Sequence, residues 1–255
     1  MRYLAFLGSQ SKDGLTAKYL NAVISGLPKD AEVETLFLQD YDIKPDNLKH
    51  PNPTLDMIEK KMEAADVWII ASPTYFADLS GVTKNLFDCM RHRMVKMNSI
   101  GDTLPGKFKN KHYLSLTTCF LSSFQNFFTG ITDQTFRTID KIMTSAGLIK
   151  LGEVIGTHTW GSKGIPNPKK LELCKRWGQK IANKPRKDDS TLKRYIELFG
   201  MIAVMSLVTM VIEGLVFGLK FNGEFWLFYV AFVVIFYVLL AILLHFFTFL
   251  RHRRR

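Results

Sequence analysis

Residues 67–83 read VWIIASPTYFADLSGVT, and this stretch decides how the rest of the chain is interpreted. Its first five residues are apolar on every face, which is typical of a strand that is buried on both sides in a parallel sheet. Polar and aromatic residues end the apolar run, and a helical pattern begins at Val82. Because parallel strands need a crossover connection, usually a helix, this strand–loop–helix order predicts an α/β domain.

The same alternation of strand and helix extends over residues 1–183. Four further strands are predicted at residues 2–7, 32–38, 112–117 and 151–158. Helices are predicted at residues 16–25, 55–65, 82–91, 132–146 and 168–183. Five such strands predict one parallel sheet in the order 2-1-3-4-5, sandwiched by helices. Ligands bind these sheets beyond the carboxyl ends of the strands, so the loops after strands one, three and four form the candidate site.

Two long apolar segments follow, at residues 198–219 and 225–250. The first has Glu213 as its only charged residue, and the second contains no Asp, Glu, Lys or Arg. A bilayer core needs about 20 apolar residues in a helix, so each segment is long enough to cross it. The alternative is a pair of buried core helices, which seldom run so long without a polar face. The sequence therefore predicts a C-terminal transmembrane helical hairpin.

The hairpin also predicts an orientation, because the connector at residues 220–224 is too short to let its two ends lie on opposite sides. Basic residues precede the first span and follow the second: Lys184, Arg186, Lys187, Lys193, Arg194, Arg251, Arg253, Arg254 and Arg255. Such residues stay on the cytoplasmic side. The apolar run at residues 3–7 is too short for a signal peptide. We expect a cell-membrane protein with two spans, in which both termini and the domain at residues 1–183 are cytoplasmic. Residues 184–195 would be a basic linker, and residues 196–255 the hairpin with its basic tail.

Charge and cysteine content exclude several other classes of protein. The 255 residues carry a net charge of +11, and the densest basic runs flank the predicted spans. Anionic membrane lipid is therefore the expected partner of this charge, and nucleic acid is disfavoured. Three cysteines, at positions 89, 119 and 174, exclude a disulfide scaffold and any C-x-x-C cluster. No metal site is predicted.

The loop after the first strand, residues 8–16, reads GSQSKDGLT. It contains three hydroxyls, on Ser9, Ser11 and Thr16. Lys12 adds a cation, and Gly14 allows a flexible turn. The helix start that follows offers unpaired N–H groups and the positive end of the helix dipole, which suits a phosphate. The loop matches neither a P-loop nor G-x-G-x-x-G, which disfavours a Walker-type NTPase and a dinucleotide Rossmann domain. The alternative is an ordinary polar turn in which Thr16 caps the helix.

The loops after strands three and four carry aromatic and hydroxyl side chains. The third strand is followed by SPTYF, in which Pro73 stiffens the turn and Tyr75 and Phe76 offer rings against which a flat ligand can stack. The fourth is followed by residues 117–123, which read TTCFLSS. The alternatives are aromatic packing on a loop and, at Cys119, a small filler residue, since no His partner is evident.

Taken in order, these loops resemble those of the flavodoxin-like NAD(P)H-dependent FMN reductase and quinone reductase family. GSQSKDGLT is similar to that family's phosphate loop G-S-x-R-x-x-(G/S)-x-T, and SPTYF to its S-P-(V/T)-Y-(F/W) segment. VTKNLFD, at residues 82–88, is similar to its L-K-N-x-x-D helix. Ser11 stands where many relatives have Arg, and Leu15 where many have Asn. The cysteine cluster of the iron–sulfur branch is missing from the sequence, so no cluster is expected.

The resemblance spans residues 1–183 and implies a flavodoxin-like fold with FMN bound at its loops. The residues that it implies for FMN binding are Ser9, Ser11, Lys12, Gly14, Leu15, Thr16, Pro73, Thr74, Tyr75, Phe76, Thr117, Thr118, Cys119 and Phe120. No catalytic side chain is implied, because the flavin itself carries the reaction. His158 and Trp160 follow strand five and are expected to pack in the core or at the rim rather than to line the site.

The resemblance also implies an oxidoreductase that uses NADPH or NADH as co-substrate and passes electrons through FMN to an acceptor. The predicted hairpin favours an acceptor at the membrane, either a quinone or a membrane redox protein. A homo-oligomer is a further expectation. Two alternatives stay open: a flavodoxin-type electron carrier that does not use NAD(P)H, and a flavin-free scaffold.

Overall fold

The computed structural model describes residues 1–46, 52–183, 191–218 and 221–253. The chain divides into two compact units, residues 1–184 and 185–255. The first alternates strands and helices, and the second consists of two long helices. Residues 184–190 of the predicted linker lie outside the described residues, and a helix begins at Thr191, within the segment predicted as linker.

The strands are β1 (Arg2–Leu7), β2 (Glu32–Phe37), β3 (Val67–Tyr75), β4 (Asp78–Leu79), β5 (Val95–Met97), β6 (Thr103–Pro105), β7 (His112–Thr118) and β8 (Ile149–Gly156). The helices are α1 (Leu15–Ser25), α2 (Pro53–Ala64), α3 (Gly81–Met94), α4 (Ser123–Thr129), α5 (Asp133–Ser145), α6 (Pro168–Asn183), α7 (Thr191–Phe217) and α8 (Gly223–Arg253). A 3-10 turn, Leu38–Asp40, follows β2.

The main sheet has the strand order β2-β1-β3-β7-β8, and all neighbours in this order are parallel. These are the five predicted strands in the predicted order 2-1-3-4-5, so the flavodoxin-like α/β fold is confirmed. The short strand β4 pairs antiparallel with the end of β3, and β5 and β6 form a separate hairpin. Neither of these two features was predicted.

The core lies on both faces of the sheet because successive residues of β3 point to opposite sides. Trp68 and Ile70 belong to one buried cluster, whereas Val67, Ile69 and Ala71 belong to the other. Trp68 packs edge-to-face against aromatic rings from neighbouring elements, and its indole N–H donates to a backbone carbonyl of α2 at 3.2 Å. The central strand is therefore apolar on every face, as the sequence predicts.

The predicted loop at residues 72–83 is partly strand, which corrects the sequence interpretation. β3 continues to Tyr75 because Ser72 and Pro73 still pair with Thr117 and Thr118 of β7. The chain then reverses in a two-residue turn, forms β4 and starts α3 at Gly81. This extension brings the predicted site residues of the second and third loops onto adjacent strands.

The two helices of the second unit pack against each other. The Tyr229 hydroxyl donates to the Ala203 carbonyl at 3.0 Å, and the rings of Phe199 and Tyr237 lie 5.2 Å apart. Leu198–Phe217 and Gly223–Leu243 are long and apolar enough to cross a membrane, with mean hydropathies of 2.1 and 2.8.

Glu213 is the one charged residue of the first predicted span, and it lines a groove between α7 and α8. The side chain of His245, near the end of the second span, is not among those described.

Candidate functional site

A cavity of about 770 Å³ lies at the carboxyl edge of the main sheet. The predicted site residues that line it are Ser9, Ser11, Gly14, Leu15, Thr16, Pro73, Thr74, Tyr75, Thr118, Cys119 and Phe120. Lining residues that were not predicted are Gln10, Thr159 and Trp160. Three predicted residues, Lys12, Phe76 and Thr117, are not part of the lining. The three loops do converge on one space, although not with every residue that was assigned to it.

The start of α1 forms one wall of this cavity. Its N-cap residue is Gly14, with φ −68°, and no side chain of the described residues caps it. The alternative in which Thr16 caps the helix is therefore wrong, and Thr16 instead forms a 2.7 Å hydrogen bond with Thr118. Since Gly14, Leu15 and Thr16 all line the cavity, the positive end of the α1 dipole lies at its wall. That arrangement suits an anion.

Hydrogen bonds within the first loop, residues 8–16, stabilise its conformation. The Ser9 hydroxyl donates to the Ser11 carbonyl at 2.7 Å, and the Ser11 hydroxyl accepts from the Asp13 N–H at 3.2 Å. A side chain at position 14 would fit, since a Cβ there would be 3.6 Å from its nearest neighbour and φ −68° is open to any residue. The flexibility assigned to Gly14 is thus not required by the structure.

Lys12 does not lie at the cavity. Its ammonium group pairs with Asp40 at 2.7 Å and lies 5.2 Å above the ring of Phe37, on the side of the loop that faces β2 and the turn after it. Among the lining residues that the structure describes, none is Asp, Glu, Lys, Arg or His. Hydroxyls and the dipole of α1 are therefore the groups offered to an anion here.

The first and second loops approach so closely that only glycine fits at position 8. A Cβ on Gly8 would lie 1.7 Å from the Thr83 hydroxyl oxygen. The Gly8 N–H donates to the Ala71 carbonyl at 2.8 Å, and the Ser80 hydroxyl donates to the Gly8 carbonyl at 2.7 Å. The Ser72 hydroxyl in turn donates to Ser80 at 2.9 Å. These bonds fix the two loops relative to each other.

A chain of hydroxyl hydrogen bonds fixes Thr74 at the cavity wall. The Thr117 hydroxyl donates to the Ser72 carbonyl at 2.8 Å, so the 2.8 Å bond between Thr74 and Thr117 has Thr74 as its donor. The 2.8 Å bond between Thr135 and Thr74 then has Thr135 as its donor. We call this series the threonine chain. Thr117, which was predicted to contact the ligand, instead holds the residue that lines the cavity.

Tyr75 ends β3, and two residues with left-handed backbone follow it. Phe76 has φ 52° and Ala77 has φ 63°, which is the conformation of a tight hairpin turn and is unfavourable for residues other than glycine. The Phe76 side chain is fully exposed and does not line the cavity. Strained backbone of this kind is concentrated at functional sites.

The third loop brings Cys119 and the loop after β8 together. Burial raises the pKa of the Cys119 thiol, which keeps it protonated and favours the filler interpretation over a nucleophile. The Cys119 carbonyl accepts from the Thr159 N–H at 3.1 Å, and the Leu121 carbonyl accepts from the His158 N–H at 2.7 Å. This pairing brings Thr159 and Trp160 to the cavity. The rule that placed the site at strand ends applies to β8 as well and would have found them.

Residues 1–116 match the model of a family described as NADPH-dependent FMN reductase. An iron–sulfur flavoprotein of Archaeoglobus fulgidus is 36% identical in an alignment of 108 positions that covers 39% of this chain and 52% of that protein. The chain thus matches about half the length of this curated relative. The match confirms the resemblance identified from the loops. It agrees with FMN as the cofactor and with an NAD(P)H-dependent FMN oxidoreductase as the class of enzyme.

Solved structures of low sequence identity share the fold. An NAD(P)H:quinone oxidoreductase from Methanothermobacter marburgensis has a TM-score of 0.61 at 14% identity, covering 71% of this chain and 98% of that one. An FMN-dependent NADH-azoreductase from Bacillus anthracis, in complex with FMN, has a TM-score of 0.54 at 10% identity, covering 71% and 99%. These likenesses confirm the flavodoxin-like architecture of the first unit.

Proposed function

We propose that this chain, whose residues 1–116 match the NADPH-dependent FMN reductases, is a membrane-anchored NAD(P)H oxidoreductase that passes electrons through FMN to a quinone or similar acceptor. One observation carries the proposal: loops from four parallel strands meet around a single cavity of about 770 Å³ at the carboxyl edge of the sheet. Cofactor sites of α/β sheets lie at this edge, and their volumes are typically about 300–1,000 Å³.

The chemistry of the lining supports FMN as the occupant. We assign the phosphate to the first loop and the start of α1, where Ser9, Ser11 and Thr16 offer hydroxyls next to a positive dipole end. We assign the isoalloxazine ring to the space between residues 73–75 and residues 118–120, which provide backbone polar groups and two aromatic side chains. Lys12 and Phe76 are left out of this assignment, and Thr117 acts by holding Thr74.

The side chains of this cavity bind and orient rather than transfer protons. FMN, when bound, supplies the redox chemistry by accepting hydride from NAD(P)H. No Asp, Glu, Lys, Arg or His is found among the described lining residues, so this wall offers no general base. Phe120 and Trp160 line the cavity and are exposed at its mouth, where they limit the access of water to a bound ring.

The second unit supports membrane anchoring. In the structure few residues of either candidate span are buried, so the two helices do not resemble the core helices of a soluble protein. Apolar helices of this length are stable in a bilayer. We take residues 1–183 as the FMN-binding domain, 184–195 as a linker and 196–255 as the hairpin, with both termini cytoplasmic because basic residues flank the spans.

The test is an absorption spectrum of the detergent-purified full chain after reconstitution with FMN, recorded before and after NADPH or NADH is added. The proposal predicts a bound flavin that is bleached by a nicotinamide and reoxidised by a soluble quinone. A bound flavin that neither nicotinamide reduces would instead favour the electron carrier. A chain that retains no flavin would contradict the proposal and favour a flavin-free scaffold.

A further inference from the structure

Helix α4 has the reverse of the usual amphipathic arrangement. Its sequence is SFQNFFT, and the three phenylalanines Phe124, Phe127 and Phe128 are 73%, 80% and 70% exposed. At about 100° per residue they share one face, and Asn126 lies on the opposite one. Asn126 is buried and forms hydrogen bonds with Thr132 at 3.0 and 3.2 Å. The helix thus turns an amide toward the protein and three aromatic rings toward the outside.

This outward face is held in place by the fold. A capping box between Ser122 and Gln125 starts the helix, and Gly130, with φ 59°, ends it. The Ser123 hydroxyl forms a 2.8 Å hydrogen bond with Thr157, which ties α4 to the loop after β8. The phenylalanine rings also contact one another edge-to-face, with centroids 4.8 and 5.3 Å apart. Their exposure is therefore a property of the folded domain, and exposed apolar patches of this kind mark interaction surfaces.

The exposed face continues to the mouth of the cavity. Phe120, which precedes α4, and Trp160, which follows β8, both line the cavity and are 50% and 81% exposed. We call the five side chains Phe120, Phe124, Phe127, Phe128 and Trp160 the aromatic rim. A ligand that enters the cavity along this side would pass over apolar rings.

We propose that the aromatic rim inserts into the interfacial layer of a lipid bilayer, so that the cavity opens toward the membrane. Aromatic side chains favour this layer, and basic residues nearby add attraction to anionic headgroups. Residues 119–132 contain no charged residue, and the only charges in residues 157–170 are Lys163, Lys169 and Lys170. These two stretches thus combine apolar rings with three positive charges, which outweigh the exposed carboxylate of Asp133 at the end of α4.

The chain itself indicates why a membrane is the partner rather than a second copy. The inference rests on the proposed membrane anchor. Residues 184–190 span at most about 25 Å when fully extended, and the seven residues of α7 that precede the span at Leu198 add about 10 Å. A domain of about 180 residues is about 40 Å across. The connecting residues therefore hold the first unit no farther from the bilayer surface than the diameter of the unit itself. A second copy would carry the same anchor but can diffuse away within the bilayer, whereas the bilayer surface is always within this reach. A rim in the membrane would also let a water-insoluble quinone reach the cavity without crossing water.

A position-specific label tests the insertion directly. The three native cysteines are all buried, so Phe127→Cys in the full chain provides one accessible thiol for a fluorescent label. The matched control is Ile100→Cys, because Ile100 is 80% exposed and lies between β5 and β6. In vesicles of phosphatidylcholine and phosphatidylserine with nitroxide-labelled acyl chains, the label at position 127 should be quenched at least about threefold more than that at position 100.

A kinetic comparison tests the consequence for the acceptor. The triple variant Phe124→Ser/Phe127→Ser/Phe128→Ser changes no residue that lines the cavity. It should reduce a long-chain quinone embedded in vesicles about tenfold more slowly, and a short-chain soluble quinone within about twofold of the unaltered rate. The double variant Met97→Ser/Ile100→Ser, which removes two exposed apolar side chains elsewhere, should leave both rates unchanged.

The outcomes separate this inference from the proposed function. Equal quenching at the two positions would overturn the insertion. The insertion would also be overturned if self-association shielded the label at position 127 from the nitroxide lipids. That result would make the rim an interface between copies. If the unaltered chain reduces neither quinone, the proposed reductase activity fails, and the quenching result still decides whether the rim inserts.

Discussion

Two polar regions of the first unit differ in how their groups are satisfied. The first is an ion-pair cluster, composed of Asp46, Asp56, Glu59, Arg93 and Lys107. The Arg93 side chain is only 10% exposed, and its guanidinium donates to three carboxylates at 2.7–2.8 Å. The second is the cavity, whose described lining lacks charged residues and whose wall includes the start of α1, which no side chain of the described residues caps.

This difference indicates that the ion-pair cluster stabilises the fold, whereas the cavity binds a ligand. In the cluster each charge has a partner from the protein, so its contribution is to fold stability and it offers little to a ligand. In the cavity the hydroxyls of Ser9, Thr16 and Thr74 also have partners from the protein, but the N–H groups at the start of α1 are available to a ligand. Substitutions in the cluster should therefore change the free energy of unfolding, whereas substitutions in the cavity should mainly change flavin affinity.

The largest expected effect comes from Arg93. Arg93→Met leaves Asp46, whose side chain is only 18% exposed, without its main cation, and leaves Glu59, which is 16% exposed, with Lys107 alone. Breaking a buried pair in this way costs about 3–5 kcal/mol of unfolding free energy. Urea unfolding of the full chain in detergent, followed by tryptophan fluorescence, measures it. Arg91→Met, at an exposed position of the same helix, is the matched control. Equal stabilities of the two variants would show that the cluster is not structural.

Acid should weaken the same cluster. Hydrogen bonding to Arg93 lowers the pKa of Asp46 to about 2 from its ordinary 3.8. Because this pKa is depressed in the folded state, the stabilisation is fully present above about pH 4 and is lost as the pH falls toward 2. It amounts to at most about 2 kcal/mol. Unfolding free energies of the unaltered chain and Asp46→Asn should converge over this range. A constant difference between them down to pH 2 would contradict the assignment.

A substitution in the cavity should have a smaller effect on stability than Arg93→Met and a larger effect on flavin binding. Thr74→Val removes the central member of the threonine chain and leaves the Thr135 hydroxyl without its acceptor. The unfolding free energy should fall by about 1–3 kcal/mol, and FMN affinity should fall in the folded protein as well. Thr103→Val, at an exposed position in β6, is the control. Unchanged FMN affinity in a folded Thr74→Val variant would remove Thr74 from the site.

The smallest effect is expected at Lys12. Its pairing with Asp40 is exposed to solvent, so Lys12→Gln should change the unfolding free energy by less than about 1 kcal/mol. FMN affinity, measured by flavin fluorescence, should stay within about twofold, because the ammonium group does not line the cavity. A tenfold loss of affinity would restore Lys12 to the phosphate site, as the sequence first suggested.

The sequence predicts the sheet well because β1 and most of β3 are nearly continuous apolar runs that are buried on both faces, and because helical patterns separate the strands along the chain. It does not predict α4, because exposed phenylalanines and a buried Asn126 invert the hydrophobic pattern on which helix prediction depends. The Ser122–Gln125 capping box was the one local signal for that helix. The position of Lys12 outside the cavity lining could not be predicted, because its partner, Asp40, is distant in sequence and is brought near only by the pairing of β1 with β2.

The central claim is that the start of α1 holds the phosphate of a flavin nucleotide. The most direct measurement compares the affinities of the full chain for FMN and for riboflavin, which lacks only the phosphate, by quenching of flavin fluorescence. Hydroxyls and a helix N-terminus directed at a phosphate should make FMN bind at least about tenfold more tightly, a difference of about 1.4 kcal/mol. Equal affinities for the two flavins, or binding of neither, would contradict the account.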